Sequence, residues 1–289
     1  MSGYRNRLAH IGRHTLVAVA AAISSMAAVP HAEAGTEPAI SSISVVGTRF
    51  EVTTEDGRIV VQEDLVGAVL TIGGDGQDWM PLRIDAVETD PRNPDGEVML
   101  YAMSTRDPAS GAWRNICEPD IEGRRMGFPL AGTWTQDGRH LPSDMAFSIT
   151  CTGGAQAKCV RFGYRPWKTS LDGTPLWDHH QACTRMIRAD YCGDGVGHTR
   201  NGTPIVIYDR KGIQQDEAAP DMSFEAAWGA DGALCVSHTR IPDVLTMEGL
   251  AAICPGVRQQ PRTAACENHA GALILNRSID PRTVQAPAE

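Results

Sequence analysis

The sequence predicts a strand-rich α+β protein. An antiparallel N-terminal sheet, sandwich or barrel, is followed by a cysteine-rich α+β region held by disulfides. Three observations carry this. From about residue 43 to 151 apolar and polar residues alternate in short runs broken by Gly, Asp and Pro, the pattern of half-buried strands and tight turns. The eight cysteines begin only at Cys117, and six of them lie beyond Cys151. The best helical stretch, Leu176 to Tyr191, falls in that second part, with Cys183, Met186 and Ile187 on one face.

The elements follow in order. Thr48 to Thr54 and Arg58 to Gln62 flank Asp56-Gly57, a strong hairpin turn. Val66 to Ile72 is a β-branched run ended by Gly73-Gly74-Asp75-Gly76. Met80, Leu82, Ile84 and Ala86 alternate with polar residues, and Met99, Tyr101 and Met103 repeat the pattern. Asp90 to Gly96 and Asp107 to Gly111 are turn-rich loops, and Phe147, Ile149 and Cys151 make a further alternating strand. Thr203 to Asp209 reads as a strand, and Ser223 to Trp228 is a short segment of either type. Asp231-Gly232 is a turn leading into a strand through Cys235. Met247 to Ile253 is a short helix closed by Pro255-Gly256, and Leu273 to Leu275 is a last strand. Residues 35–42 form a short flexible lead. The expected organisation is 1–34 leader, 35–151 β-rich region, 152–280 cysteine-rich region and 281–289 loose tail, the two central regions either separate or sharing one core.

With 289 residues, 42% of them hydrophobic and 21% charged, the chain can build a real core; collagen, coiled coil and wholesale disorder are excluded. A formal net charge of -9 argues against binding nucleic acid or anionic lipid through bulk charge. Residues 1–34 read as a signal peptide. Arg5, Arg7 and Arg13 supply the positive region, Thr15 to Val29 the apolar core, Pro30 a break, and Ala32-Glu33-Ala34 the cleavage pattern. That apolar run is too short for a comfortable membrane span, and no later stretch is long enough. The expected address is the periplasm or the cell exterior, with a cell-envelope or extracellular partner. There, Cys117, Cys151, Cys159, Cys183, Cys192, Cys235, Cys254 and Cys266 would form up to four disulfides, and the sequence cannot choose among 105 pairings. If one helix carries both Cys183 and Cys192, they lie about 13 Å apart along its axis, beyond disulfide reach.

The central third is dense in motif. Lys158-Cys159-Val160-Arg161-Phe162-Gly163-Tyr164-Arg165-Pro166-Trp167 is followed by His180-Gln181-Ala182-Cys183-Thr184-Arg185-Met186-Ile187-Arg188-Ala189-Asp190-Tyr191-Cys192-Gly193-Asp194-Gly195. Then come His198-Thr199, Gly202-Thr203, Tyr208-Asp209 and Phe224-Glu225-Ala226-Ala227-Trp228-Gly229. Over roughly residues 40–240 this resembles the bacterial ADYC-domain family, named for the tetrapeptide that here is Ala189, Asp190, Tyr191 and Cys192. The resemblance implies an exported bacterial protein and supplies no catalytic residue.

The residues therefore stand on their own chemistry. Cys192 is a candidate nucleophile with His198 as base and Asp190 or Asp194 orienting it, weighed against Cys192 as half of a disulfide. His180, Asp194 and His198 would meet only if the chain reverses at Gly193. His179 and Asp190 fall about 16 Å apart along a continuous helix and cannot share an ion. The loop from Asp194 lacks the oxygen ligands of an EF-hand, and no C-x-x-C, G-x-S-x-G, H-E-x-x-H or P-loop is present. No metal and no cofactor is expected. Arg185, Arg188 and Asp190 suit an ion-pair network, and the two arginines, one turn apart, also suit an anion. Trp167, Trp177, Trp228, Tyr164 and Tyr191 suit the core before a carbohydrate or peptide platform. Glu225 beside Trp228 is a candidate acid with a raised pKa. The expectation is a non-catalytic, disulfide-stabilised binding or interaction module; the competing one is a secreted hydrolase using Cys192 or the His180, Asp194 and His198 group.

Overall fold

Alternation becomes strand along the first half of the chain in a computed structural model, which describes residues 3–5, 39–73, 80–93, 95–217, 219–259 and 264–280. The strands there are β1 (Gly3–Arg5), β2 (Ile40–Val46), β3 (Arg49–Thr54), β4 (Ile59–Val61), β5 (Val69–Ile72), β6 (Met80–Thr89), β7 (Met99–Arg106), β8 (Trp113–Asn115), β9 (Gly127–Ala131), β10 (Thr133–Trp134), β11 (His140–Leu141) and β12 (Ala146–Cys151). Most of the expected leader and the whole 281–289 tail lie outside the described residues. The exception in the leader is β1, which pairs with Ala146–Ser148 at the edge of the large sheet.

That sheet is antiparallel in the order β1-β12-β9-β7-β6-β5, with β8 also on β7. Leu82 and Ile84 of β6 and Met99, Tyr101 and Met103 of β7 are buried, as a period of two requires. The hairpin predicted at Asp56-Gly57 joins β3 to β4 and, with β2, makes a three-stranded sheet. The small sheet lies on the large one through Phe50, whose ring meets Tyr101 at 5.2 Å and Phe147 at 5.5 Å, both edge to face. Of the two forms expected for this half, the sheets do not close into a barrel. Residues 40–42, expected as flexible lead, belong to β2: Ile40 and Ile43 are buried, and a register shift between Ile40 and Ser42 hides the period.

The second half holds α1 (Ala155–Arg161), α2 (Trp177–Arg188), β13 (Ile205–Tyr208), β14 (Met222–Gly229), β15 (Gly232–Val236), α3 (Met247–Ile253), β16 (Arg258–Gln259), α4 (Ala264–Glu267) and β17 (Ile274–Ile279). Its sheet runs β13-β17-β14-β15-β16, antiparallel except for the β15–β16 pair. Met186 of α2 packs with Tyr191, Trp228, Val236 and Ile274 in one buried cluster. Ala157 and Val160 of α1 instead belong to the cluster of the first sheet, so that core draws on both sides of residue 152. A buried ion pair adds to the join: Arg161 donates Nε to Asp90 at 2.8 Å.

All eight cysteines are paired: Cys117–Cys151, Cys159–Cys183, Cys192–Cys254 and Cys235–Cys266, with Cα separations of 5.5, 5.8, 5.4 and 5.6 Å. Cys183 and Cys192 are not partners, but the helical argument for that fails, because α2 stops at Arg188, before Cys192.

Candidate functional site

Helix α2 carries Asp178 in its first turn and Arg185 and Arg188 in its last, charges that complement its dipole. It ends because Ala189 takes a left-handed conformation, φ 50. The chain then folds back over the helix end. Asp190, fully buried, accepts from the backbone N–H of Asp194 (3.2 Å) and Gly195 (3.0 Å) and from Arg185 Nη1 (2.6 Å). Gly193 makes the reversal possible: a Cβ there would fall 1.7 Å from the Asp231 carbonyl oxygen, at a φ of +72. This close approach seats the turn against the β14–β15 hairpin, where Ala233 N–H donates to the Tyr191 carbonyl at 2.9 Å.

Tyr191 points into a buried polar network. Its hydroxyl donates to Glu225 Oε1 at 3.0 Å and accepts from Arg240 N–H at 2.8 Å. Arg240 donates Nε to Glu225 Oε2 at 3.0 Å and Nη2 to the Met186 carbonyl at 2.8 Å. Asn276 Nδ2 donates to Glu225 at 2.8 Å and its Oδ1 accepts from Trp228 Nε1 at 2.8 Å. Burial alone would raise the Glu225 pKa, but the Arg240 charge and hydrogen bonds outweigh it and hold the carboxyl below its usual range. Glu225 is therefore an ionised structural anion, and the sequence expectation of a raised-pKa acid is corrected.

The turn, its disulfide and this network are the frame around the tetrapeptide, and a family model described as the ADYC domain matches residues 62–242. The chain belongs to the ADYC-domain family. No curated protein and no solved structure matches it. In this ADYC domain each letter of the motif has a mechanical task. Ala189 ends the helix, Asp190 ties the turn, Tyr191 anchors it to Glu225 and Arg240, and Cys192 is bonded to Cys254.

Each catalytic candidate is engaged in a structural contact. Cys192 carries no thiol, so it is not a nucleophile in this state. His198 Nδ1 lies 3.2 Å from the Ala189 carbonyl and its ring stacks on Tyr191. Asp194 accepts from Val196 N–H at 2.9 Å, and His180 Nε2 lies 3.1 Å from the Gln156 carbonyl. Among the described residues no three His, Cys, Asp or Glu side chains are placed to hold a metal ion. Arg188 donates Nη2 to the Gly195 carbonyl.

A cavity of about 160 Å³ opens beside the motif in this ADYC domain. One wall is the hairpin of β10 and β11, the other is α2 with Thr184, Arg185 and Arg188, and Gln156 of α1 and Gly195 complete it. The hairpin is pinned to α2 where Gln181 Nε2 donates to the Gly138 carbonyl at 2.7 Å and Arg185 Nη1 to that of Asp137. The Trp134, His140, Trp177 and His180 rings pack beneath it, His140 stacked on Trp177 at 3.8 Å. Sequence reasoning found the Arg185 and Arg188 side of this site and missed the rest, because Trp134, Gly138 and Gln156 come to it from segments far apart in the chain.

Burial pushes the His180 pKa down to about 4 against the raising effect of its bond to Gln156, with nearby His140 pushing the same way. The unfolded chain takes this proton near pH 6.5 and the folded one near 4. The His180 contribution is thus intact above about pH 6.5 and is lost as pH falls between the two values, by about 3 kcal/mol in all. Denaturant melts at pH 7.0 and 4.5 check this: His180→Gln, which keeps a donor for the Gln156 carbonyl but cannot titrate, should lose less on acidification than the native chain. Equal losses would refute the assignment.

Proposed function

We propose that this ADYC-domain protein is exported from a bacterial cell and acts in the periplasm or outside the cell as a non-catalytic binding module. The observation that carries the reading is the complete use of eight cysteines in four disulfides, Cys192 included. Such bonds persist in oxidising compartments, and they leave no thiolate for chemistry. His180, His198 and the carboxylates of Asp190 and Asp194 are likewise engaged with backbone, while a cavity that includes two arginines in its lining lies open beside them. No described helix is long and apolar enough to cross a membrane, which fits release after export.

Intact mass of the natively exported protein after iodoacetamide treatment tests this. Without reductant, no alkylation is expected; after denaturation and reduction, eight adducts are expected. A native adduct on Cys192 would overturn the reading in favour of a secreted hydrolase.

A further inference from the structure

The cavity between the β10–β11 hairpin and α2 contains polar atoms that the protein itself does not satisfy. Gln156 is 1% exposed and lines the cavity, yet neither its Nε2 nor its Oε1 has a hydrogen-bond partner among the described residues. Trp134, 6% exposed, lines it too, and its Nε1 has none. Orphaned groups of this kind are rare in native interiors and each costs about 1–3 kcal/mol unless something occupies the space. Two guanidinium groups, Arg185 and Arg188, share the lining with one carboxylate, Asp190, which leaves one positive charge in excess. Arg185 commits Nε and Nη1 to Ala230, Asp137 and Asp190, and Arg188 commits only Nη2, so both retain N–H donors.

We propose that this cavity binds a small hydroxycarboxylate. The inference rests on reading the protein as a binding module and names its ligand class. A monocarboxylate matches the single excess charge, whereas a dianion such as phosphate would leave negative charge in a half-enclosed, partly apolar space. The indole and amide N–H groups and the guanidinium groups supply donors to the carboxylate. Gln156 Oε1 only accepts, so the ligand brings its own O–H. A volume of about 160 Å³ corresponds to roughly five water molecules and limits the ligand to about that many non-hydrogen atoms.

Glycolate is the probe. In the 15N-labelled, disulfide-intact protein, the Trp134 indole N–H resonance, assigned with Trp134→Phe, should shift saturably as glycolate is added. Arg188→Gln should weaken the apparent affinity about tenfold, the loss expected for one charge-assisted bond. Gln156→Leu, which fills the same space without the amide, should abolish the response; near-UV circular dichroism verifies that both variants fold. Acetate, lacking the hydroxyl, and acetamide, lacking the charge, should each bind more weakly than glycolate. Equal binding of acetate overturns the hydroxyl requirement, and equal binding of acetamide overturns the carboxylate class; the binding-module reading survives both. No saturable shift with any of the three shows that the cavity holds water only and overturns the site.

Discussion

Replacing Arg240 with Met is expected to destabilise the protein by about 3–5 kcal/mol, the cost of leaving a buried charge without its partner. Glu225 is fully buried, and Arg240 supplies both its counter-charge and two of its hydrogen bonds. The same guanidinium also caps the last turn of α2 through the Met186 and Ile187 carbonyls, so the substitution frees the helix end and the sheet together. Denaturant unfolding at pH 7 measures the loss. The double variant Arg240→Met with Glu225→Gln should recover part of it, because the charge that made the single change costly is gone. The deficit of the single variant should also shrink as pH falls. In the native chain, stability from the lowered Glu225 pKa is present at neutral pH and lost as pH drops through it; the unpaired Glu225 instead binds its proton early. A cost below about 1 kcal/mol would show that Glu225 is reached by water and that the network does not hold the motif.

Removing the Cys192–Cys254 bond with paired Ser substitutions is expected to cost about 4 kcal/mol, from the chain entropy restored when a bridge between residues 62 apart is opened. For a chain of this size that lowers the melting temperature by roughly 10 °C. The bond joins the turn after α2 to the end of α3, where Cys254 follows Ile253. A melting temperature within about 2 °C of the native protein would mean that the turn is held by Asp190 and Tyr191 alone.

Legibility in the sequence followed the periodicity. The strands β6 and β7 and the Asp56-Gly57 hairpin alternate apolar and polar residues over enough positions to be legible, despite a register shift between Ile84 and Ala86 and the burial of Leu100. β14 has no period because its last five residues are all buried, so residue type alone could not separate strand from helix. β9 carries Pro129 within a sheet, and α1 is seven residues long and tied by Cys159 to α2, so local propensity says little about either. The Arg185–Asp190 pair follows from spacing once the helix end is known. The Glu225–Arg240 pair and the cavity do not, since both depend on how α2 is laid across a sheet built from strands far apart in sequence.

The order of the disulfides along the chain sets a constraint on biosynthesis. Cys117–Cys151 and Cys159–Cys183 each join neighbours in the cysteine series, whereas Cys192–Cys254 and Cys235–Cys266 are interleaved. An oxidase acting on thiols as they emerge, first come first joined, makes the first two bonds correctly and then links Cys192 to Cys235. For an exported chain, maturation of the C-terminal half therefore demands either that oxidation wait for the complete polypeptide or that a thiol–disulfide isomerase undo the premature link.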